Sequence, residues 1–142
     1  MNSVIVHYQE IALKGRNRPW FVERLVNNLR DVTRDLNIQQ VRPLMGRIEL
    51  TLGSECEWSM VRERVSRVFG IANYAQAGRT TRDVDEIAAM VLGDLDRDER
   101  VSKDRVGRFR VRASRADKSY YLTSPELERE VGGRIKQSKG WT

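Results

Sequence analysis

The sequence predicts an α+β fold in two units. Three observations carry this reading. Apolar residues switch between period two and helical spacing in the order strand, helix, strand, strand, helix, strand over residues 1–77. Two further helical stripes and an alternating arginine segment follow over residues 78–142. The composition, 39% hydrophobic and 32% charged, is that of a folded chain with a heavily charged surface. At 142 residues the length fits one ordinary domain or two small ones.

Residues 3–13 read as a strand, with Val4, Val6 and Tyr8 alternating with Ile5, His7 and Gln9. A polar turn, Lys14-Gly15-Arg16-Asn17-Arg18, leads into a helix with Asn17 as N-cap and Pro19 in the first turn. Phe21, Leu25, Leu29, Val32 and Leu36 form its apolar stripe, and Asn37 is the expected stop. A hairpin follows: a short strand from Val41 to Pro43, a turn at Met45-Gly46, then Ile48, Leu50 and Leu52 alternating with Arg47, Glu49 and Thr51. Ser54-Glu55-Cys56-Glu57 has the capping-box pattern. It opens a helix carrying Trp58, Val61, Val65 and Val68 on one face, with Gly70 as its stop. A last strand covers 71–77. This order is the split βαβ, ferredoxin-like arrangement.

In the second unit Thr80 to Asp83 offers a cap for a helix with Val84, Ile87, Val91 and Leu95 on one side. A charged connection spans 94–103. Residues 107–113 then read as a strand with strict alternation: Phe109, Val111 and Ala113 face one way, Arg108, Arg110 and Arg112 the other. Tyr120-Tyr121-Leu122 is a candidate short strand. Ser124-Pro125-Glu126 predicts a helix start with Ser124 as N-cap, and Leu127, Val131 and Ile135 share its apolar face up to a stop at Gly140. So few strands leave two apolar helix faces under-covered, and the expectation is a domain that is incomplete within this sequence.

Composition excludes several classes of function. No apolar run approaches the ~18–20 residues of a membrane helix. The start has neither a basic n-region nor an apolar h-region, so no secretory signal is expected. Cys56 is the single cysteine and His7 the single histidine. A disulfide framework, a CxxC redox or zinc pair, a histidine metal cluster and a serine triad are therefore not expected, and the chain reads as a reduced, cytoplasmic protein. Metal ligands and catalytic residues: none are assigned. An SGGxDS pyrophosphatase loop, a GxGxxG turn and a deaminase HxE…PCxxC set are all missing from these residues. The sequence reads as one that binds.

What it binds follows from charge. Lys and Arg number 26 against 20 acids, a formal net charge of +6, and 21 of the cations are Arg. Arg pairs bidentately with phosphate, although GC-rich codon usage produces the same ratio, so position carries more than number. Residues 105–118 hold six cations and one acid. Alternation puts the guanidinium groups of Arg108, Arg110 and Arg112 on one side, ~7 Å apart, a spacing suited to a polyphosphate backbone. The alternative is a strand face paired with acids from a neighbour. Arg115 and Lys118 extend the positive surface. The 14–18 turn, with Lys14, Arg16 and Arg18 at a helix start, is a second phosphate candidate, or else a plain turn with solvated charges. The mid-helix pair Gly132-Gly133 implies close approach by a packed backbone or by RNA. Tyr120 and Tyr121 are candidate base-stacking rings or core residues. Cys56 and His7 read as structural.

Two stretches carry a family resemblance. Tyr8-Gln9-Glu10-Ile11-Ala12-Leu13-Lys14-Gly15-Arg16-Asn17-Arg18, with Phe21 and Leu25, resembles the opening of the thiamine-biosynthesis tRNA sulfurtransferases, the tRNA 4-thiouridine synthetases. Phe109-Arg110-Val111-Arg112-Ala113-Ser114-Arg115-Ala116-Asp117-Lys118, followed by Ser124-Pro125-Glu126-Leu127 and Gly132, is similar to the THUMP RNA-binding domain of the same family.

The resemblance implies a ferredoxin-like domain over 1–77 and the N-terminal portion of an α/β THUMP domain over 78–142. It implies that the two grip the tRNA acceptor region. RNA contact is expected from Lys14, Arg16, Arg18, Arg108, Arg110, Arg112, Arg115 and Lys118. It also implies a longer parent in which an ATP-pyrophosphatase domain, using ATP and magnesium, makes 4-thiouridine from uridine 8. A cysteine desulfurase would supply the sulfur, the parent would be a homodimer, and its sulfur would also reach the thiamine thiazole. No cofactor is expected in these residues, and Cys56 matches no catalytic position. Two other readings stay open: the RNA-binding module of another THUMP-containing enzyme, a methylase or deaminase, and a small ferredoxin-like acyl-phosphatase using the 14–18 turn as its cradle.

Overall fold

β1 (Ser3–Tyr8) is one of the two inner strands of the first unit's sheet, with both of its edges paired. The computed structural model describes residues 2–9, 17–98, 101 and 106–142. It divides into two compact units, Met1–Arg79 and Thr80–Thr142. In the first, α1 (Arg18–Val32), β2 (Ile38–Leu44), β3 (Arg47–Leu52), α2 (Trp58–Ser66) and β4 (Ile71–Ala77) follow β1. The antiparallel sheet has the order β2-β3-β1-β4, the ferredoxin-like topology expected from the element order.

Alternation decides which side of the sheet the helices cover. Val4, Val6, Ile48, Leu50 and Val41 are buried on one side against Leu25, Leu29, Val61 and Val65 of α1 and α2. Val4, Val6, Leu29, Ile48, Leu50, Val61 and Val65 have no exposed surface at all. At roughly 25 cal/mol per Å² of apolar area, this cluster is the main stabilising term of the unit.

The element ends depart from expectation in instructive ways. The first strand is described only to Tyr8, and residues 10–16 lie outside the described residues. α1 stops at Val32 rather than near Asn37: Thr33 leaves helical geometry as the C-cap, at φ −108° and ψ 12°, while its buried hydroxyl donates to the Leu29 carbonyl at 2.7 Å. Leu36 still packs on the core from beyond the helix. The capping box expected at Ser54 does not form. Asn37 binds that segment instead, donating from Nδ2 to the Ser54 carbonyl at 2.7 Å while its own carbonyl accepts from Gly53. Glu55 turns the chain at φ 65°, and α2 starts at Trp58 with Glu57 in the cap position and no side-chain cap bond. Gly70, at φ +94°, follows the helix C-cap at Arg67 and lies under the Phe21 ring, where a Cβ would come within 2.9 Å of Cζ.

The second unit contains α3 (Val84–Arg97) and α4 (Ser124–Lys139). Asp83 caps α3, accepting from the Asp85 N–H at 2.7 Å. The N-cap of α4 is Thr123, one residue before the expected Ser124; its hydroxyl accepts from the Glu126 N–H and donates to the Glu126 carboxylate, which caps the helix start. Gly140 ends α4 in the left-handed conformation at φ 69°. Val131, Ile135 and Trp141 form a small core with Ile87, Val91, Phe109 and Val111 packed on it.

Candidate nucleic-acid interface

Residues 107–113 are extended but belong to no strand ladder, so the strand expected there is a lone segment held by other means. The alternation is as expected. Arg108, Arg110 and Arg112 are exposed, whereas Phe109, Val111 and Ala113 are half-buried. Three backbone attachments fix the segment. Thr142 donates to the Gly107 carbonyl at 3.2 Å and accepts from the Phe109 N–H at 3.1 Å, which is the pattern of a parallel β-pair flanking Arg108. At the other end the Ala113 N–H donates to Glu128 Oε1 of α4 at 2.9 Å. Gly107 lets the indole of Trp141 lie close: a Cβ there would stand 3.2 Å from the ring. The Phe109 and Trp141 rings meet at 6.3 Å between centroids.

Anchored in this way, the segment presents three guanidinium groups to solvent. None of the three has an ion-pair or side-chain hydrogen-bond partner among the described residues, which argues against the alternative of a face paired with acids. Three unneutralised like charges at this spacing repel one another, and a polyanion relieves that repulsion.

Arg115 does something different. Its Nη1 donates to the carbonyls of Lys118, Tyr120 and Leu122 at 3.3, 3.4 and 3.1 Å, and its Nε is buried without a partner. The guanidinium therefore organises the 116–122 loop from inside. The candidate strand at Tyr120-Tyr121-Leu122 does not form, because two of its carbonyls turn inward to this side chain. Asp117 tightens the same loop. Its carboxylate accepts from the Ser119 hydroxyl at 2.5 Å and the Ser119 N–H at 2.9 Å, and pairs with Arg82 at 3.0 Å. Those Ser119 hydrogen bonds, helped by Arg82, hold the Asp117 carboxyl below its usual range. Lys118 is exposed in the loop, and so is Tyr121, whose ring lies 4.9 Å from that of Tyr120; the Tyr120 hydroxyl donates to the Arg82 carbonyl at 2.6 Å.

In the first unit Arg18 opens α1 and is exposed. Asn17 stands in the cap position but makes no side-chain cap bond, and the first turn carries no acid, so the positive end of the helix is not neutralised from within. Arg18 lines a groove of about 660 Å³ with Tyr8, Asn27, Arg30 and Met45. Lys14 and Arg16 lie outside the described residues.

Sequence reasoning overlooked a further charged group, Arg42, Glu49 and Arg79. Glu49 is only 5% exposed yet ionised, paired to Arg42 at 2.8 Å and to Arg79 at 2.9 Å. A signal for half of it existed: a two-residue turn at Met45-Gly46 sets Arg42 opposite Glu49. Nothing local pointed to Arg79.

The other singled-out residues have plain roles. Cys56 is half-buried, and burial pushes its thiol up, away from the reactive thiolate. Gly132 would place a Cβ 3.7 Å from Val111, an ordinary contact, and Gly133 would meet nothing within 4 Å, so the packing expected to require both glycines is not present among the described residues. No group of three or more His, Cys, Asp or Glu able to hold a metal occurs among the described residues. No helix in them is long and apolar enough to cross a membrane.

Residues 3–75 match the model of the ThiI ferredoxin-like domain family. A probable tRNA sulfurtransferase of Moorella thermoacetica is 35% identical over 134 residues, 94% of this chain and 32% of that protein. Another, from Thermus thermophilus, is 30% identical over 133 residues, 94% of this chain and 31% of that protein. A 4-thiouridine synthetase, crystallised as an RNA complex with bound ATP, matches with TM-score 0.83 and 27% identity over 100% of this chain and 35% of its own. PH1313 from Pyrococcus horikoshii matches with TM-score 0.81 and 30% identity over 98% of this chain and 45% of its own. The chain spans about a third of the length of the curated relatives it matches.

Proposed function

Because the chain belongs to the ThiI ferredoxin-like domain family, we propose that it is the tRNA-gripping region of a tRNA sulfurtransferase that makes 4-thiouridine. The observation that carries this reading is the exposed, unpaired row Arg108, Arg110 and Arg112, anchored to α4 through Glu128 and to Thr142. Such a row tracks a phosphate backbone without reading bases. Arg18 at the uncapped start of α1 adds a second phosphate contact, with Lys14 and Arg16 in the same sequence run.

In this reading residues 78–142 are THUMP sequence, and the RNA element gripped is the acceptor region of tRNA. Sulfur transfer belongs to a longer parent, in which a pyrophosphatase domain uses ATP and magnesium and a cysteine desulfurase supplies the sulfur. Homodimer formation, sulfur supply to thiamine thiazole and a cytoplasmic location belong to the same proposal. What supports it is the family match, the net charge of +6 and the relative crystallised with RNA.

The test is tRNA binding by the 142-residue chain, followed by fluorescence anisotropy, beside sulfur transfer to tRNA with ATP and a cysteine desulfurase. Salt-sensitive binding with no transfer supports the proposal. Failure to bind tRNA at low salt rejects it.

A further inference from the structure

A second cationic surface lies on the side of the sheet that α1 and α2 do not cover. Strand register sets its membership. Arg42 on β2 stands opposite Glu49 on β3, Glu49 opposite Ile5 on β1, and Ile5 opposite Ala75 on β4. Residues opposite one another share a face, and this row alternates with the buried Val41, Leu50 and Val4 of the helix-covered side. Arg47 and His7, each two residues along its strand from Glu49 and Ile5, stand on the same face and are exposed.

The geometry around Glu49 is unusual for a surface ion pair. Arg42 donates from Nε to Oε1 at 2.9 Å and approaches the same oxygen with Nη2 at 2.8 Å. Arg79 approaches both oxygens with Nη2, at 3.0 and 2.9 Å. One buried carboxylate thus holds two guanidinium groups, and the trio keeps a charge of +1. Burial alone pushes the Glu49 carboxyl up, but the Arg42 hydrogen bond and the two cations outweigh it and hold it below its usual value, so the carboxylate stays ionised. A structural pair needs a single arginine. The second leaves donors over. Arg79 is 65% exposed and its Nη1 and Nε have no acceptor among the described residues; Arg42 keeps Nη1 in the same condition.

Two guanidinium groups held on one carboxylate, each with donors left over, match one tetrahedral oxyanion. The rows through Ser3, Ile5 and His7 carry no Phe, Tyr or Trp, and the His7 imidazole is their one aromatic ring, so the face offers chiefly phosphate contacts.

We propose that this sheet face is a second phosphate-contact surface for RNA, on which Glu49 is the positioning residue that holds Arg42 and Arg79 toward one phosphodiester. The inference rests on the RNA-binding reading above.

The test compares the unaltered chain, Glu49→Gln and Arg79→Gln in tRNA binding across a salt series, with a thermal melt of each. Undirected attraction predicts that Glu49→Gln, which adds one positive charge, binds RNA more tightly. Positioning predicts the opposite: several-fold weaker binding despite the extra charge. Arg79→Gln removes one of the two cations on Glu49, leaves the carboxylate paired with Arg42 at a lower melting temperature, and lowers the slope of log affinity against log salt by roughly 0.7–0.9, one phosphate contact. An unchanged slope in Arg79→Gln overturns the surface, and it does so even if Glu49→Gln fails to fold. A lowered slope in Arg79→Gln with equal or tighter binding by Glu49→Gln overturns the positioning role. Loss of binding by the unaltered chain rejects the RNA reading itself, which separates that failure from this one.

Discussion

Glu128 on α4 accepts the backbone N–H of Ala113 at 2.9 Å, so a helix carboxylate fixes one end of the arginine row. The segment has no sheet ladder to hold it, and this charge-assisted bond takes the place of one. Glu128→Ala leaves the Ala113 N–H, half-buried, without its acceptor. The expected cost is about 1–2 kcal/mol. For a unit this small, that is a drop in melting temperature of several degrees, read by circular dichroism.

Gly133 gives the opposite sign. Its added Cβ meets nothing within 4 Å, and it lies in the middle of α4. Gly133→Ala removes backbone entropy from the unfolded chain and should stabilise the second unit by up to about 1 kcal/mol. The thermal melt checks this. An unchanged or lower melting temperature would mean that the site is not open.

Arg115 should behave unlike its neighbours in the row. Its guanidinium binds the Lys118, Tyr120 and Leu122 carbonyls. Arg115→Ala should therefore free the 116–122 loop. Chymotrypsin should cleave after Tyr120 or Tyr121 faster than in the unaltered chain, while the salt slope of RNA binding stays near its original value.

Acid should weaken the first unit in a definite window. The Arg64 hydrogen bonds, 2.5 and 2.8 Å, hold the Asp35 carboxyl below its ordinary 3.8; Glu49 is held below 4.5 by Arg42 and Arg79 against the push of burial. Both folded values are depressed, so the unfolded state binds protons first as pH falls. The stabilisation is complete above about pH 4.5 and is lost as pH drops through the lower folded values. Urea unfolding at neutral pH and at about pH 3 should show this loss, and Arg42→Ala should show less of it.

Much of this was legible in the sequence. Long periodic stretches, such as Phe21 to Leu29 and Ile48 to Leu52, gave their elements directly, because burial on one face leaves a period that local chemistry cannot hide. The arginine row was legible for the same reason. What misled was local chemistry overridden at a distance. The Ser54 pattern is a sound capping box, but Asn37, 17 residues away, binds that backbone first. Tyr120 to Leu122 has strand-forming residues, but Arg115 draws the carbonyls inward. Glu49 alternates like any solvent-facing strand residue; Arg42 across the hairpin and Arg79, 30 residues on, together keep it ionised where it is buried.

The central claim is that Arg108, Arg110 and Arg112 meet an RNA backbone. It is tested by Arg110→Ala/Arg112→Ala in tRNA binding across a salt series, beside its thermal melt. Both side chains are exposed and neither has a partner among the described residues, so the melt should not move. Each lost phosphate contact removes roughly 0.7–0.9 from the salt slope, so the double variant should lose about 1.5 and weaken binding equally for tRNAs of different sequence. A normal slope with a lowered melting temperature would contradict the account and return these arginines to a structural role.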